Sequence, residues 1–358
     1  MLNKDFWQGK KVFLTGHTGF KGAWLSLCLK KLGANVTGYS LESPTDPSLF
    51  KIAKLGNLME SKLGDICDFQ DLCKKMKYAN PDIVIHMAAQ ALVRDSYIDP
   101  LQTYQTNVVG TANVLESVRQ CKNIKAVLIV TTDKCYENKE WYWGYREDEA
   151  LGGYDPYSSS KACAEIVTAA YRQSFLRETG IAVATVRAGN VIGGGDWAKD
   201  RLIPDCLRAI EKKEKIIIRN PQAIRPWQHV LDPLRGYMML TEKLYEEGND
   251  WAESWNFGPY AHSVLCVGDV VEKICTKLNA TYAVQKLDNL HEANYLKLDC
   301  SKANMKLKWQ PTLSMDDSLE YIIDWFNAYR NGEDMQKFSV MQIEKYCMQQ
   351  SSTNIVEI

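Results

Sequence analysis

The chain has 358 residues, with 43 Lys+Arg against 44 Asp+Glu and a formal charge of −1, so no basic stripe dominates and nucleic acid is not the expected partner. That length can bury a large core and suggests two lobes or one large α/β domain. Eleven cysteines lie scattered without a Cys-x-x-Cys, the five histidines show no metal-ligand cluster, and no signal-peptide pattern or membrane-length apolar run occurs. The expectation is a cytoplasmic enzyme with reduced thiols, no metal and no membrane span. The polar end, Gln349 to Ile358, is expected to fray.

In chain order, Lys11-Val-Phe-Leu-Thr15 is a β-rich run followed at once by Gly16-His-Thr-Gly19-Phe-Lys-Gly22 and an apolar stretch from Ala23. The pattern predicts strand, glycine turn and helix. Gly16 permits the tight turn, Gly19 lets a pyrophosphate approach the backbone, and Gly22 lets helix and strand pack closely. Phosphates would lie against the positive end of that helix, with Thr18, Phe20 and Lys21 in the same cofactor-binding turn.

The second strand is Asn35–Tyr39. An acid often ends it to hold the adenosine ribose; here Glu42 comes late and no arginine follows for a 2′-phosphate, which favours NAD over NADP. Asp65, after a weak third strand, could accept from the adenine amino group, with Ile66 beside it. Asp82 to Gln90 is a buried strand in which His86 reads as structural. Ala88, Ala89 and Gln90 end it with small groups that leave room for a flat ring or a ribose. Pro100 to Cys121 predicts one long helix whose central Asn107 makes a structural or cofactor hydrogen bond.

Lys125–Val130 runs into Thr131-Thr132-Asp133-Lys134, which sets hydroxyl, acid and amine at the end of a central strand, where such sheets do chemistry. The aromatic loop Trp141 to Glu149 either covers a pocket or packs on the surface. Pro156 then opens a helix on which Tyr157 and Lys161 share one face. An ammonium beside a phenol favours the phenolate and brings its pKa below roughly 10, so Tyr157 can serve as a base.

After the strand Ile181–Arg187 the βα rhythm breaks at Gly189 to Trp197, which marks the boundary between lobes. Ile216–Pro221 predicts a strand and turn. Arg225 carries a planar fork suited to a diphosphate. Asp232 opens a helix through Leu240, Trp255–Gly258 is a late strand, and the stretches 266–278 and 315–329 are core helices. The expected fold is a Rossmann-type doubly wound parallel sheet (1–190 plus about 229–260) with a smaller mixed α/β substrate lobe (about 191–228 plus 261–358).

The stretches at 15–22, 131–134 and 157–161 resemble the extended short-chain dehydrogenase/reductase superfamily. Phe6-Trp7-Gln-Gly, Lys134, Trp143 to Glu147, Gly189 to Trp197 and Arg225 to Val230 narrow the resemblance to its nucleotide-sugar 4,6-dehydratases that take CDP-glucose. It spans roughly residues 6 to 330. The resemblance implies NAD as cofactor, with Thr131 joining the cofactor set, and Arg94, Ser96, Asn190, Arg201, Arg219, Arg225 and His229 around the substrate. It implies a homodimer through a four-helix bundle of the helices near 100–121 and 157–177. The implied reaction turns CDP-D-glucose into CDP-4-dehydro-6-deoxy-D-glucose and water, for the deoxysugars of surface polysaccharides such as the lipopolysaccharide O-antigen.

In that reaction Tyr157 takes the C4 hydroxyl proton, Thr132 holds the sugar oxygen, Lys161 holds the nicotinamide ribose and Asp133 protonates the departing hydroxyl. The dTDP-glucose dehydratases carry Asp-Glu where this chain has Asp133-Lys134, which leaves the C5 base open. The competing readings are a 4-epimerase, a dehydratase of another NDP-hexose, and a cofactor-sensing protein without turnover. An epimerase needs no acid/base pair at 133 and 134, and a sensor has no use for Thr132, Asp133, Tyr157 and Lys161 together.

Overall fold

Strands covered on both faces read as nearly unbroken apolar runs, and Val12–Leu14, Ile83–Ile85, Ala126–Val130 and Ala182–Val186 are such runs. In the computed structural model, which describes residues 3–260, 265–285 and 295–353, they become inner strands of one seven-stranded parallel sheet. Its members are β1 (Lys11–Thr15), β2 (Asn35–Ser40), β3 (Glu60–Leu63), β4 (Ile83–His86), β5 (Ala126–Val130), β6 (Ala182–Ala188) and a late edge strand, Ser254–Phe257. The order is β3-β2-β1-β4-β5-β6 and then Ser254–Phe257, all parallel. This is the doubly wound Rossmann arrangement. Its order reverses between β1 and β4, so the crevice at their carboxyl ends is where ligands of such sheets bind.

Period-two alternation sorts each strand between two cores. Val12, Leu14, Ile83, Ile85, Leu128 and Ala184 face one layer with Trp24, Trp255, Trp309 and Trp325. Phe13, Val84, Val127, Ile129 and Val183 face the other with Tyr39, Leu72, Val114 and Leu115. Each fully buried large side chain contributes about 1.5–3 kcal/mol. A third core holds Ile203, Cys206, Ile216, Ile218, Trp227, Val270, Ile274, Leu319 and Ile322. It lies under short pairings: Val191–Ile192 with Gln228–His229, Ile216–Ile218 with Tyr282–Val284, and Ile224–Arg225 with Leu265–Cys266.

Four elements differ from expectation. The helix from Pro100 is continuous but changes its winding: Pro100–Tyr104, a π-turn Gln105–Val109, then Gly110–Arg119. The tyrosine helix Pro156–Tyr171 likewise runs into a π-turn, Arg172–Leu176. The chain end does not fray at Gln349, because the helix Met335–Thr353 reaches past it. Tertiary hydrogen bonds hold that helix: Tyr346 Oη donates to buried Asp232 at 2.7 Å, Gln342 Nε2 to Tyr321 O at 2.7 Å, and Trp325 Nε1 to Ser339 Oγ at 2.9 Å. Polarity alone hid these anchors, and residues 354–358 lie outside the described ones. Leu231–Glu247 also extends well beyond Leu240. Among the described residues no helix is long and apolar enough to cross a membrane.

Candidate active site

The glycine turn sits at the switch point between β1 and β4. Gly16 has φ +76°, and a Cβ there would stand 2.6 Å from Ala88 N, so only glycine lets the first turn pass the end of β4. At Gly22 a Cβ would meet Gly16 O at 2.1 Å, and the helix Phe20–Lys31 packs onto its own turn for that reason. Gly19 is the N-cap and makes no side-chain cap. The first amides of a twelve-residue helix therefore lack a side-chain acceptor at its positive end, which suits a pyrophosphate. Thr15 Oγ1 ties the two strand ends together: it contacts His86 Nδ1 at 2.7 Å and accepts from Met87 N (3.1 Å) and Ala88 N (3.2 Å). His86 is buried and structural, as its place in the strand implies.

The other cofactor candidates divide. Thr18 Oγ1 donates to Leu41 O at 3.0 Å and bonds Ser40 Oγ, fastening the turn to the end of β2. Asp65 accepts from Cys67 N at 2.9 Å, and Ile66 is buried against Gly110. Ala88 and Ala89 remain partly open at the end of β4. Asn107 is structural: its amide accepts from Gln90 N (2.9 Å) and donates to Gln90 O (3.0 Å) and Ser160 Oγ (2.8 Å). The Gln90 side chain closes its own turn onto Leu92. The Thr131 hydroxyl is a tether within the protein, donating to the Glu165 carboxylate and to Val186 O.

Thr132 is extended and caps the single turn Asp133–Cys135. Its Oγ1 donates to Asp133 Oδ1 at 3.0 Å, and Lys134 Nζ reaches the same oxygen at 3.4 Å. Asp133 is fully buried, and its Oδ2 has no protein partner. A Cβ on Gly189 would come within 3.0 Å of that oxygen, so a glycine there keeps the space open. Lys134 is about one-third exposed.

Asp155 caps the tyrosine helix, accepting from Ser158 N, and Pro156 opens its first turn. Tyr157 lands beside Thr132. Its phenol is pushed up to about 12 by burial, while the Thr132 hydrogen bond and the nearby Arg201 pull the other way. The ammonium of Lys161 donates to Val130 O at 3.2 Å. It is itself pushed down to about 8, chiefly by burial. The i, i+4 spacing sets both groups on one helix face, and burial is the largest influence on the phenol.

The proposed substrate groups also divide. Arg201 pairs with Asp196 at 3.0 Å and lies in the field of Tyr157 and Lys21. Arg94 and Arg219 approach one carboxylate, Asp200, at 3.5 and 2.8 Å. Asn190 holds a buried Oδ1 without a partner near the Gln228 backbone. Arg225 donates to Ile224 O at 3.0 Å from its short strand. Ser96 is buried and donates to Val93 O at 2.6 Å, inside its own helical turn. His229 is fully buried between Trp24 and Tyr321 and pushed down to about 3 by burial, and its Nε2 has no hydrogen-bond partner among the described residues.

Sequence reading missed Glu165 and Arg187, a buried pair at 2.8 Å directly behind Thr131 and Tyr136. The signal was present: an arginine closing an apolar strand, and an acid one turn past Lys161 on a helix otherwise rich in alanine.

The sheet, the glycine turn at its switch point and the Tyr157-x-x-x-Lys161 helix beside Thr132 define an extended short-chain dehydrogenase/reductase. The chain belongs to the GDP-mannose 4,6 dehydratase family, whose model matches residues 13–322. It is 54% identical over 353 residues to the CDP-glucose 4,6-dehydratase of Salmonella typhimurium, covering 97% of this chain and 98% of that one. It is 25% identical to the dTDP-glucose 4,6-dehydratase of the same organism, over 89% and 93% of the two chains. Among solved structures, the UDP-glucose 4-epimerase of Thermotoga maritima superposes with a TM-score of 0.78 at 20% identity, over 89% and 99% of the chains. A dTDP-glucose 4,6-dehydratase from Streptomyces venezuelae superposes with a TM-score of 0.78 at 21% identity, over 91% and 99%.

Because the Cβ of an alanine at 22 has only backbone to push against, Gly22→Ala is expected to open the turn. Dinucleotide affinity, followed by quenching of tryptophan fluorescence, should fall about tenfold or more, a loss of about 1.4 kcal/mol or greater. Unchanged binding would show that the turn does not hold a pyrophosphate.

Proposed function

We propose that this chain is an NAD-dependent lyase that converts CDP-D-glucose to CDP-4-dehydro-6-deoxy-D-glucose and water. The observation that carries the reaction type is the meeting of Thr132, Asp133, Lys134 and Tyr157 at the end of one central strand. The choice of CDP-glucose is supported by 54% identity along nearly the whole of both chains to a relative of that activity.

NAD, when bound, supplies the hydride acceptor for C4 and the hydride donor for C6, and the glycine turn with its uncapped helix end would hold it. The protein's own groups manage protons and position. Tyr157 takes the C4 hydroxyl proton, with Thr132 and Arg201 favouring the phenolate against burial. The C4 ketone acidifies C5–H. Asp133 hands a proton to the departing C6 hydroxyl, and its unpartnered Oδ2 is the atom placed to do so. Lys134 either removes the C5 proton or steadies the developing enolate while a water or another residue takes that proton, and C5 regains a proton when C6 is reduced. Arg201, Arg94, Arg219 and Arg225 supply cationic groups for the diphosphate side of the substrate. The sugar-nucleotide lobe in this reading comprises about 191–228 and 261–358.

The reading includes a homodimer. Leu101 is 80% exposed, and Val109, Ile166 and Phe175 are apolar and at least 40% exposed on the two helices from Pro100 and Pro156. Pairing with a second copy would cover them in a four-helix bundle. A cytoplasmic setting suits eleven scattered cysteines.

Incubation with CDP-glucose should give the alkali-induced absorbance of a 4-keto sugar, above that obtained with dTDP-, UDP- or GDP-glucose. Deuterium placed at C4 should appear at C6 of the product without net NADH. A sugar-alcohol epimer as the product would assign a 4-epimerase, no turnover would assign a sensor, and stoichiometric NADH would assign a simple dehydrogenase.

For Lys134, the two roles separate in single turnovers. If Lys134 is the base, Lys134→Glu keeps measurable elimination, Lys134→Met loses it, and C4 oxidation survives in both. Elimination by Lys134→Met at the wild-type rate would leave Lys134 without a chemical role.

For the dimer, Ile166→Glu should convert a sedimentation profile of two chains into one of single chains at low micromolar concentration, with far-ultraviolet dichroism retained. A wild-type chain that sediments as a monomer would remove the bundle from the reading.

A further inference from the structure

The Thr132–Cys135 turn is pinned at both flanks by a single buried ion pair. Arg187 on β6 makes a two-armed bond to Glu165 of the tyrosine helix, Nε to Oε1 at 3.0 Å and Nη2 to Oε2 at 2.8 Å. Its remaining arm, Nη1, donates to Tyr136 Oη at 2.7 Å and to Glu147 O at 3.0 Å. Glu165 in turn accepts from Thr131 Oγ1 and, at 2.6 Å, from Thr185 Oγ1. Thr131 stands just before the turn and Tyr136 just after it. On the helix, Lys161 lies one turn before Glu165 and Tyr157 two turns before it.

We propose that Glu165 and Arg187 form a positioning pair for the reaction, fixing the register of the tyrosine helix against both flanks of the Thr132–Cys135 turn. A fully buried ion pair is poor evidence for stability, since well-packed apolar residues often replace one at no cost. What apolar residues cannot replace is direction. The planar fork of Arg187 and the four oxygen lone-pair sites of Glu165 set the angle between two elements that must hold Tyr157, Thr132 and Asp133 within bonding reach. A shift of one ångström at a reacting group can cost about 100-fold in rate.

The pair also acts on Lys161 through its field. The groups facing Lys161 are Glu165 on its own helix and Cys135 at the turn, Lys21 from the helix Phe20–Lys31, His86 from β4, and the Val130 carbonyl that accepts from it. Glu165 raises its pKa against burial. Without that carboxylate the ammonium loses its proton at lower pH, so any activity that needs it charged declines from a lower pH upward.

The inference rests on the dehydratase reading, and wild-type turnover of CDP-glucose checks that reading first; the variants are compared only with a wild type that turns over. Glu165→Gln is expected to lower kcat about 10- to 100-fold, to leave KM for CDP-glucose within about threefold, and to move the alkaline limb of the kcat profile to lower pH. In Glu165→Gln/Arg187→Met no charge is left unpaired, so thermal stability should recover while kcat stays low. Recovery of both kcat and stability in the double variant, or an unmoved alkaline limb in the single one, would make the pair structural only. Should either variant fail to fold, Tyr136→Phe carries the test, because it cuts one tether and keeps the ring. A severalfold loss of kcat at unchanged KM supports the proposal, and wild-type kcat overturns it.

Discussion

The crowding of positive charge around one buried carboxylate governs this site. Lys21 lies in the fields of Lys161, Arg201 and Lys134, which disfavour its ammonium, and in that of Asp133, which favours it. Burial and then the fields of Lys161 and Arg201 push the Lys21 ammonium down to about 7. In the field at Lys21 three cations act against one acid, while Asp196 pairs with Arg201 and Glu165 faces Lys161. Such a field disfavours each ammonium and favours any anion that enters, so diphosphates and a phenolate are stabilised by the same arrangement.

A second constraint lies where the sheet meets the short strands. Gly189 leaves no side chain at a point where a Cβ would stand 2.4 Å from Pro226. Gln228 fastens the segment back to the sheet, Nε2 donating to Phe257 O at 2.8 Å. Around this junction Asp133 Oδ2, Asn190 Oδ1 and Trp227 Nε1 are buried without partners. Unsatisfied polar atoms are uncommon in protein interiors, and several at one seam mark a surface shaped for hydrogen bonds with something other than the chain itself.

Most of the sheet was legible because parallel strands announce themselves as apolar runs and the glycine turn has a spacing no other function explains well. Thr132 and Asp133 were legible for a related reason, since they follow the end of one such run, and Tyr157 was legible from its spacing to Lys161 in a helix opened by Pro156. What could not be read were interactions whose partners are distant in sequence. The hydroxyl of Thr131 bonds Glu165, 34 residues on, and no local pattern announces that contact. The packing of His229 against Trp24 and Tyr321 is equally distant in sequence. The effect of Lys161 on Tyr157 was inferred from spacing, and spacing carries no information about desolvation. The final helix was missed because its stability comes from Asp232, Tyr321 and Trp325, and its own periodicity shows little of that.

The two π-turns, Gln105–Val109 and Arg172–Leu176, have a bearing on lineage and mixing of subunits. A π-turn behaves as one residue inserted into an α-helix, and such an insertion rotates everything beyond it by about 100°. The exposed stripe of the helix from Pro100 is therefore offset partway along its length, whereas the helix from Pro156 ends in its π-turn. A second copy carries the same offset and can follow it. A relative with an uninterrupted helix would match one half of the stripe and miss the other, however similar its side chains. Discrimination against foreign partners would then be written into the winding of the backbone, where point substitutions at the surface cannot easily erase it.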